Sequence, residues 1–406
     1  MSQQFSIIPV LYVLGAAHGV FLAVALFTHH RGSRRANLYL GFYTLAFVAA
    51  LCDYFLDASG LGRPLVQLRT ILWPREFLYG VLLYFFTREL TTPGKYFLQG
   101  RQWWHFVPAC LHVLVTWPLL FLPESTQYAI LYDVPSDTAL QQFWQLLLDD
   151  IELWLIVSHM IIYLLLCLRL LRRHRERLLQ THSYRERVSL DWLSYLIKGT
   201  LVVFFFWLAE EFLHLGDTLD FWLDFGLGLS MVFLIYSMSI LGLRQAQIFS
   251  ASRQQNEGEA TRLPNIDTAE QVDRENKQKY RNSALSAELS QQLMASIDQA
   301  VVQNQLYRDS LLSLPQLAEK LDLSVNYLSQ AINQQKGQNF FDYINTYRVQ
   351  EVIRLMQKSP STNVLDLALA AGFNSKSPFY AAFRKHTDMT PSQYRQTLSE
   401  NPSLPS

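Results

Sequence analysis

Seven stretches of this sequence are too long and too apolar for an ordinary water-soluble fold, and that decides most of what the chain can become. A helix crossing the roughly 30 Å hydrocarbon core of a bilayer needs about 20 mostly apolar residues. Runs near that size extend from Ile7 to Thr28, Leu38 to Leu56, Ile71 to Thr87, Trp104 to Leu122, Ile151 to Leu171, Leu193 to Leu215 and Phe221 to Leu243. In lipid each run must satisfy its backbone hydrogen bonds internally, so residues 1–243 read as a seven-helix transmembrane bundle. The first run is expected to be retained. Met1 to Phe5 carries no Lys or Arg, and no small-residue cleavage pattern follows it.

Loop charge sets the orientation of such a bundle, because basic loops stay on the cytoplasmic side. One alternate set of loops contains Arg31, Arg34 and Arg35, then Arg88, Lys95 and Arg101, then Arg169, Arg172, Arg173, Arg175, Arg177, Arg185 and Arg187. The other set has Arg63 and Arg69, and the stretch from Pro123 to Asp150 has no basic residue. The expectation is a multi-pass protein of a bacterial inner membrane, with its N-terminus outside and everything after Arg244 in the cytoplasm. The basic segment Arg169 to Arg187 has two readings: a topology determinant touching anionic lipid, or a docking surface for the domain that follows. Cys52, Cys110 and Cys167 all fall inside apolar runs, which suits small packing residues and gives no disulfide framework.

A formal net charge of zero conceals an abrupt change at residue 244, after which the chain turns polar and rich in Gln, Asn and Ser. Residues 244–283 read as a charged, flexible linker, since they hold few large apolar side chains with which to bury a core. Helical periodicity returns over 284–304, where Leu285, Leu289, Leu293, Ile297 and Val301 share one face. That stripe fits either a dimer seam or packing against the adjacent domain.

The next segment contains an internal repeat. "LSLPQLAEKLDLSVNYLSQAIN" (312–333) aligns with "TNVLDLALAAGFNSKSPFYAAFR" (362–384): Leu317 and Ala318 match Leu367 and Ala368, Leu323 matches Phe373, and Leu328 and Ile332 match Phe379 and Phe383 after a one-residue shift. Each copy reads as helix, tight turn, helix. In the first, Ser313 is a candidate N-cap with Pro315 in the first turn, Asp322 and Leu323 form the turn, and Ser324 can cap a helix from Val325 to Asn333. In the second, Gly372 supplies a permissive backbone, and Asn374 or Ser375 caps a helix from Lys376 to about His386. Between them, residues 339–358 place Phe341, Ile344, Tyr347, Val352, Ile353 and Met356 at helical spacing. One such helix would join the copies and set both second helices toward successive major grooves of a duplex, about 34 Å apart.

The combination of "LPQLAEKLDLSVNYLSQAIN", "FFDYINTYRVQEVIRLM", "AAGFNSKSPFYAAFRK" and "TPSQYR" resembles the DNA-binding domain of the AraC/XylS family over about residues 305–397. Its place after a seven-helix membrane region, with Tyr280 and Ser283 just ahead of the amphipathic helix, looks like the membrane-anchored branch of that family. The resemblance implies an all-α chain with a double helix-turn-helix domain at 305–398 and a tail at 399–406. It implies base reading by Asn326, Ser329, Gln330 and Asn333 from the first copy, and by Lys376, Ser377, Tyr380 and Ala381 from the second. The chemistry of the first set is suited to that task, since Asn and Gln form bidentate bonds to adenine and each such pair discriminates by roughly 1–3 kcal/mol. Arg348, Arg384, Lys385 and Arg395 are expected at phosphates, which position the protein without reading sequence. Two departures stand out: Asp322 where a glycine is common, and Ala381 where a longer polar side chain often makes contact. Residues 307–397 hold ten Lys and Arg against seven Asp and Glu, a small excess that implies modest nonspecific affinity.

Ionisable groups inside apolar runs count as functional hypotheses. Asp53, Arg75, Glu76, Asp150, Glu210, Glu211 and His214 gather toward the outer ends of their runs, with Trp73, Trp207 and Trp222. They read as an outward cavity for an unknown small signal ligand, a cation or protons. The expected mechanism is a signal that shifts the bundle between two states, with the last run changing how the DNA-binding domains are presented. Double-stranded DNA and the lipid bilayer are the partners, with a second copy of the chain and RNA polymerase as further candidates. The alternative is a sensor or transporter whose helical tail acts through a protein partner. The sequence has no P-loop, GxSxG elbow, HExxH, CxxC pair or kinase glycine loop, so no enzyme, metal site or cofactor is expected.

Overall fold

The computed structural model describes residues 7–28, 33–92, 100–132, 134, 138–183, 190–213, 221–240 and 287–400. These residues form two units, Met1–Arg172 with Leu190–Gly258, and Arg173–Ser189 with Glu259–Ser406. Both are helical, and the described residues contain no β-strand beyond one isolated bridge between His182 and Ser313.

The first unit contains α1 (Ile7–Thr28), α2 (Arg34–Ala58), α3 (Val66–Leu72), α4 (Leu78–Thr91), α5 (Val107–Thr116), α6 (Glu124–Leu131), α7 (Ala139–Gln145), most of α8 (Glu152–Thr181), α9 (Asp191–Phe212) and α10 (Phe221–Ile240). Six segments among the described residues are long and apolar enough to cross a membrane: Ile8–Thr28, Arg34–Ala58, Gly100–Phe121, Glu152–Thr181, Asp191–Phe212 and Phe221–Ile240. Their outward faces carry large bare apolar side chains, among them Phe21, Phe233 and Leu114, a surface that suits lipid and would favour aggregation in water.

The run from Ile71 to Thr87 departs from the seven-helix expectation. Pro74 lacks an amide hydrogen and sits at a non-helical ψ of 18°, so the segment breaks into α3, a tight 3-10 turn at Trp73–Arg75, and α4. At 14 residues α4 spans about 21 Å, short of a hydrocarbon core. Pro108 and Pro118 likewise divide Gly100–Phe121 into 3-10, α and 3-10 parts. The stretch from Pro123 to Asp150, read as a loop, contains α6 and α7.

Inside this unit α1, α2, α4, α8, α9 and α10 contribute to one aromatic-rich core, with Tyr12, Tyr43, Phe47, Phe85 and Phe86 fully enclosed. Gly19 of α1 lets the helices approach closely, because a Cβ there would lie 2.5 Å from Val48 Cγ2. Tyr43 and Thr200 hydroxyls meet at 2.6 Å in the buried seam between α2 and α9. Such a bond keeps two polar groups satisfied where no water competes.

The second unit contains the end of α8, then α11 (Ala287–Gln303), α12 (Leu314–Lys320), α13 (Val325–Lys336), α14 (Phe340–Lys358), α15 (Val364–Ala370), α16 (Lys376–Thr387) and α17 (Pro391–Glu400). It has two cores. The first joins Ile297 and Val301 of α11 to Leu317, Leu328 and Ile332, closed by Phe340, Tyr343 and Ile344 of α14. The second joins Val349, Val352 and Met356 of the same α14 to Leu367, Phe373, Phe379 and Phe383. A single helix therefore belongs to both cores. Leu293, Ile297 and Val301 of the stripe on α11 pack on the adjacent helices, the second of its two readings; Leu285, the side chain of Leu289 and the linker 244–283 lie outside the described residues.

Candidate nucleic-acid interface

The sequence repeat is a repeat in space. In the first copy Leu323 N–H donates to Ala318 O at 2.9 Å, and in the second Phe373 N–H donates to Ala368 O at 3.0 Å. The turn residue between is left-handed in both: Asp322 at φ 54° and Gly372 at φ 99°. Asp is one of the few side chains that visit this region, so the missing glycine leaves the first turn intact. Gly372 has a second reason to be glycine, because a Cβ there would lie 2.5 Å from Tyr307 O.

Local chemistry starts α12 and α13, whereas the expected cap of α16 is not made, since Ser375 forms no side-chain cap bond. Ser313 and Gln316 form a capping box at α12, and Ser324 Oγ accepts from Tyr327 N–H at 3.2 Å to start α13. α13 runs three residues past Asn333, to a left-handed Gly337. α16 begins after Ser375, and Asn374 instead donates its side-chain amide to Ser310 O at 2.8 Å.

The faces turned away from the two cores carry the expected reading residues. On α13, Asn326 and Asn333 are exposed and Ser329 and Gln330 half-buried, with Asn333 Nδ2 donating to Ser329 Oγ at 3.4 Å. On α16, Lys376, Ser377 and Ala381 are exposed, and Lys376 Nζ lies 5.3 Å from the ring centre of half-buried Tyr380. The last turn of α16 presents Arg384 and Lys385 to solvent, although Lys385 Nζ also pairs with Asp342 at 2.7 Å. Arg395 is half-buried and donates to Thr362 O at 2.6 Å, which ties α17 to the start of the second copy.

Arg348 is placed differently from the phosphate contact expected of it. It is 1 % exposed, and its guanidinium donates to Tyr307 O (2.8 Å), Asp309 O (2.8 Å), Ser183 O (2.9 Å), Ser183 Oγ (3.0 Å) and Asn345 Oδ1 (3.2 Å). Helical phase explains it: Arg348 lies one turn from Ile344 and Val352, both fully buried, so it points inward between the two cores. Burial pushes the guanidinium down to about 10, against the pull of Asp309, and it stays charged at neutral pH.

Three further residues hold this unit together without having been visible in the sequence pattern. Ser183, just past α8, is 1 % exposed and donates its N–H and hydroxyl to Leu312 O as well as accepting from Arg348. The end of α8 and Ser183 group with the second unit. Asp298 of α11 accepts from Tyr343 (2.9 Å), Tyr347 (2.6 Å) and Lys336 (2.7 Å), joining α11 to α13 and α14. Glu351 of α14 takes Arg308 and Arg354 on its two oxygens. Those guanidinium bonds, Arg354 foremost, hold its carboxyl below the usual range.

In the first unit, four of the seven expected signal residues share one cavity. Asp53, Arg75, Glu76 and Glu211 line a space of about 210 Å³ with Arg69, Trp73, Glu152 and Trp207. Glu210 turns to a different partner, accepting from Tyr54 at 3.3 Å. Asp150 lies in the π turn Leu146–Ile151, and His214 lies outside the described residues.

An all-helical unit with two capped helix-turn-helix modules on one shared rod defines a DNA-binding domain of the AraC type. The family model described as "Helix-turn-helix domain" matches residues 317–397. The melibiose operon regulatory protein of Escherichia coli K12 is 34 % identical over 88 residues, 22 % of this chain and 29 % of that protein. The match thus spans less than a third of that relative. The probable transcription factor PqrA of Proteus vulgaris is 29 % identical over 104 residues, 26 % of this chain and 81 % of its own. A solved structure of a protein of unknown function from Listeria innocua shares 29 % identity with 24 % of this chain and 96 % of that one, at a TM-score of 0.21.

Proposed function

We propose that this chain is a membrane-bound transcriptional regulator that couples a signal at its apolar unit to sequence-specific DNA binding by residues 305–398. The observation that carries the reading is the pair of polar helix faces on α13 and α16, held by two cores that share α14, in a chain with six membrane-length apolar segments. Asn326, Ser329, Gln330 and Asn333 discriminate bases in one half-site. Lys376, Ser377, Tyr380 and Ala381 face the other, with less discrimination because Ala381 has no polar group to offer. Arg384 and Lys385 hold phosphates. The basic loops keep this domain on the cytoplasmic side, with the N-terminus outside.

The signal route follows α8. It leaves the apolar stretch, becomes arginine-rich from Arg169 and ends at Thr181, and His182–Ser183 just beyond it are hydrogen-bonded within the DNA-binding unit. A ligand that favours one state of the apolar unit alters the DNA-binding unit to the extent that it binds the two states unequally.

The test is selection of DNA from a random duplex pool by the full chain in nanodiscs. The expected product is a motif with two half-sites about one helical turn apart. A pool that emerges without enrichment would overturn the DNA-reading role. A reporter response unchanged when residues 1–243 are replaced by unrelated spans of the same orientation would remove the sensory role.

A further inference from the structure

We propose that the cavity at the junction of α2, α3, α8 and α9 binds a small protonated amine. The proposal deepens the reading of the apolar unit as a sensor and rests on it only for the consequence of binding, not for the binding itself. Four carboxylates line the space, Asp53, Glu76, Glu152 and Glu211, against two guanidiniums, Arg69 and Arg75. Both guanidiniums are already engaged. Arg69 reaches Asp53 at 2.6 Å and Asp57 at 3.0 Å, while Arg75 reaches Asp53 at 3.1 Å and Glu76 at 3.4 Å. Among the described lining residues carboxylates outnumber guanidiniums, a balance that favours a cation over an anion.

Glu152 carries the case from charge to ligand. It opens α8, is 6 % exposed, and has one oxygen 3.1 Å from His112 Nε2. Its other oxygen, Oε2, is buried and has no hydrogen-bond partner. An enclosed carboxylate oxygen without a donor is costly, and an N–H donor bearing positive charge is the group that relieves it. Trp73 and Trp207 also line the space, and indole faces attract organic cations. The volume, about 210 Å³, corresponds to about seven waters at roughly 30 Å³ each, enough for an amine with a short hydrocarbon stem. An ammonium on Glu152 with its stem against the indoles uses both features; a bare metal ion would leave the aromatic walls without a role.

Calorimetric titration of the full chain in nanodiscs tests this with benzylamine, its neutral isostere benzyl alcohol and its anionic counterpart benzoate, each corrected with empty discs. Saturable one-site binding of the amine is expected, at least roughly tenfold tighter than the alcohol, with none for benzoate. Glu152→Gln should weaken the amine by roughly tenfold or more and leave the alcohol unchanged, and Trp73→Leu should weaken the amine by about two- to fivefold. Glu210→Gln, outside the cavity, should change neither. Equal binding of amine and alcohol, no saturable amine binding, or an amine affinity indifferent to both Glu152→Gln and Trp73→Leu overturns the proposal. DNA selection by the same preparation is unaffected by any of these results. Amine binding that leaves DNA binding unchanged instead counts against the sensory reading and keeps the site.

Discussion

Replacing Arg348 with alanine separates the two roles an arginine at this position could have. In the structure the guanidinium satisfies five acceptors from Tyr307, Asp309, Asn345 and Ser183, all around a side chain that is 1 % exposed. An acceptor stranded in a buried site costs about 1–3 kcal/mol. Water entering the vacated space and local relaxation would rescue some of them, so about two effective losses, or about 3–5 kcal/mol, is the expected destabilisation of the second unit. That is at the upper end for a single substitution and matches the mechanism of a broken buried network. With a urea dependence of about 2 kcal/mol per molar, the unfolding midpoint should fall by about 2 M. Pulse proteolysis of the full chain in nanodiscs over a urea series, following the C-terminal fragment, reads this directly. Ser183→Ala, which loses only the hydroxyl bonds, should cost about 1 kcal/mol and shift the midpoint by about 0.5 M. A midpoint unmoved within about 0.3 M, together with weaker DNA binding and a salt slope reduced by about 0.9, would place Arg348 on a phosphate and refute the buried role.

Other perturbations have outcomes of different kinds. Gly372→Ala forces a left-handed alanine whose Cβ would lie 2.5 Å from Tyr307 O, and differential scanning should show a destabilisation of at least about 1–3 kcal/mol, where Asp322→Gly is nearly neutral. Asp298→Ala leaves Tyr343 and Tyr347 without their shared acceptor, and hydrogen exchange should rise selectively in α11 while α15 to α17 stay protected. Glu351 has a depressed carboxyl in the folded unit, so its ion pairs add stability above the unfolded value of about 4.3. That stability is lost as pH falls through the lower folded value, and Glu351→Gln should flatten an acid-unfolding curve in this window. Gln330→Ala should relax base preference at one half-site by roughly 1–3 kcal/mol, whereas Arg384→Ala should lower affinity for all sequences alike and reduce the salt slope by about 0.9; competition binding at several salt concentrations separates the two.

Most of the second unit was legible because its signals are local. Ser313 and Ser324 cap where their positions suggest, Asp322 and Gly372 turn the chain, and the matched pairs Ala318–Leu323 and Ala368–Phe373 make the same hydrogen bond in space. Arg348 is expected at a phosphate from the family resemblance, while its phase on α14 alongside Ile344 and Val352 points it inward. Phase could have warned of this. Ser183 could not have been found that way, since its partners lie more than a hundred residues away and no periodicity links them. In the first unit, counting apolar residues located the spans but passed over Pro74, whose missing amide hydrogen shortens α4. The same counting grouped Glu210 with Glu211, although adjacent helical positions point about 100° apart and only Glu211 meets the cavity.

The sharing of α14 between two cores makes the protein a ruler. One residue inserted into that helix would rotate the distal reading helix by about 100° relative to the proximal one, and no compensation in the neighbouring loops could undo it. On the proposed reading, target sites are thereby locked to a single phase on the duplex, so that a change of target alters letters within each half rather than the gap between halves.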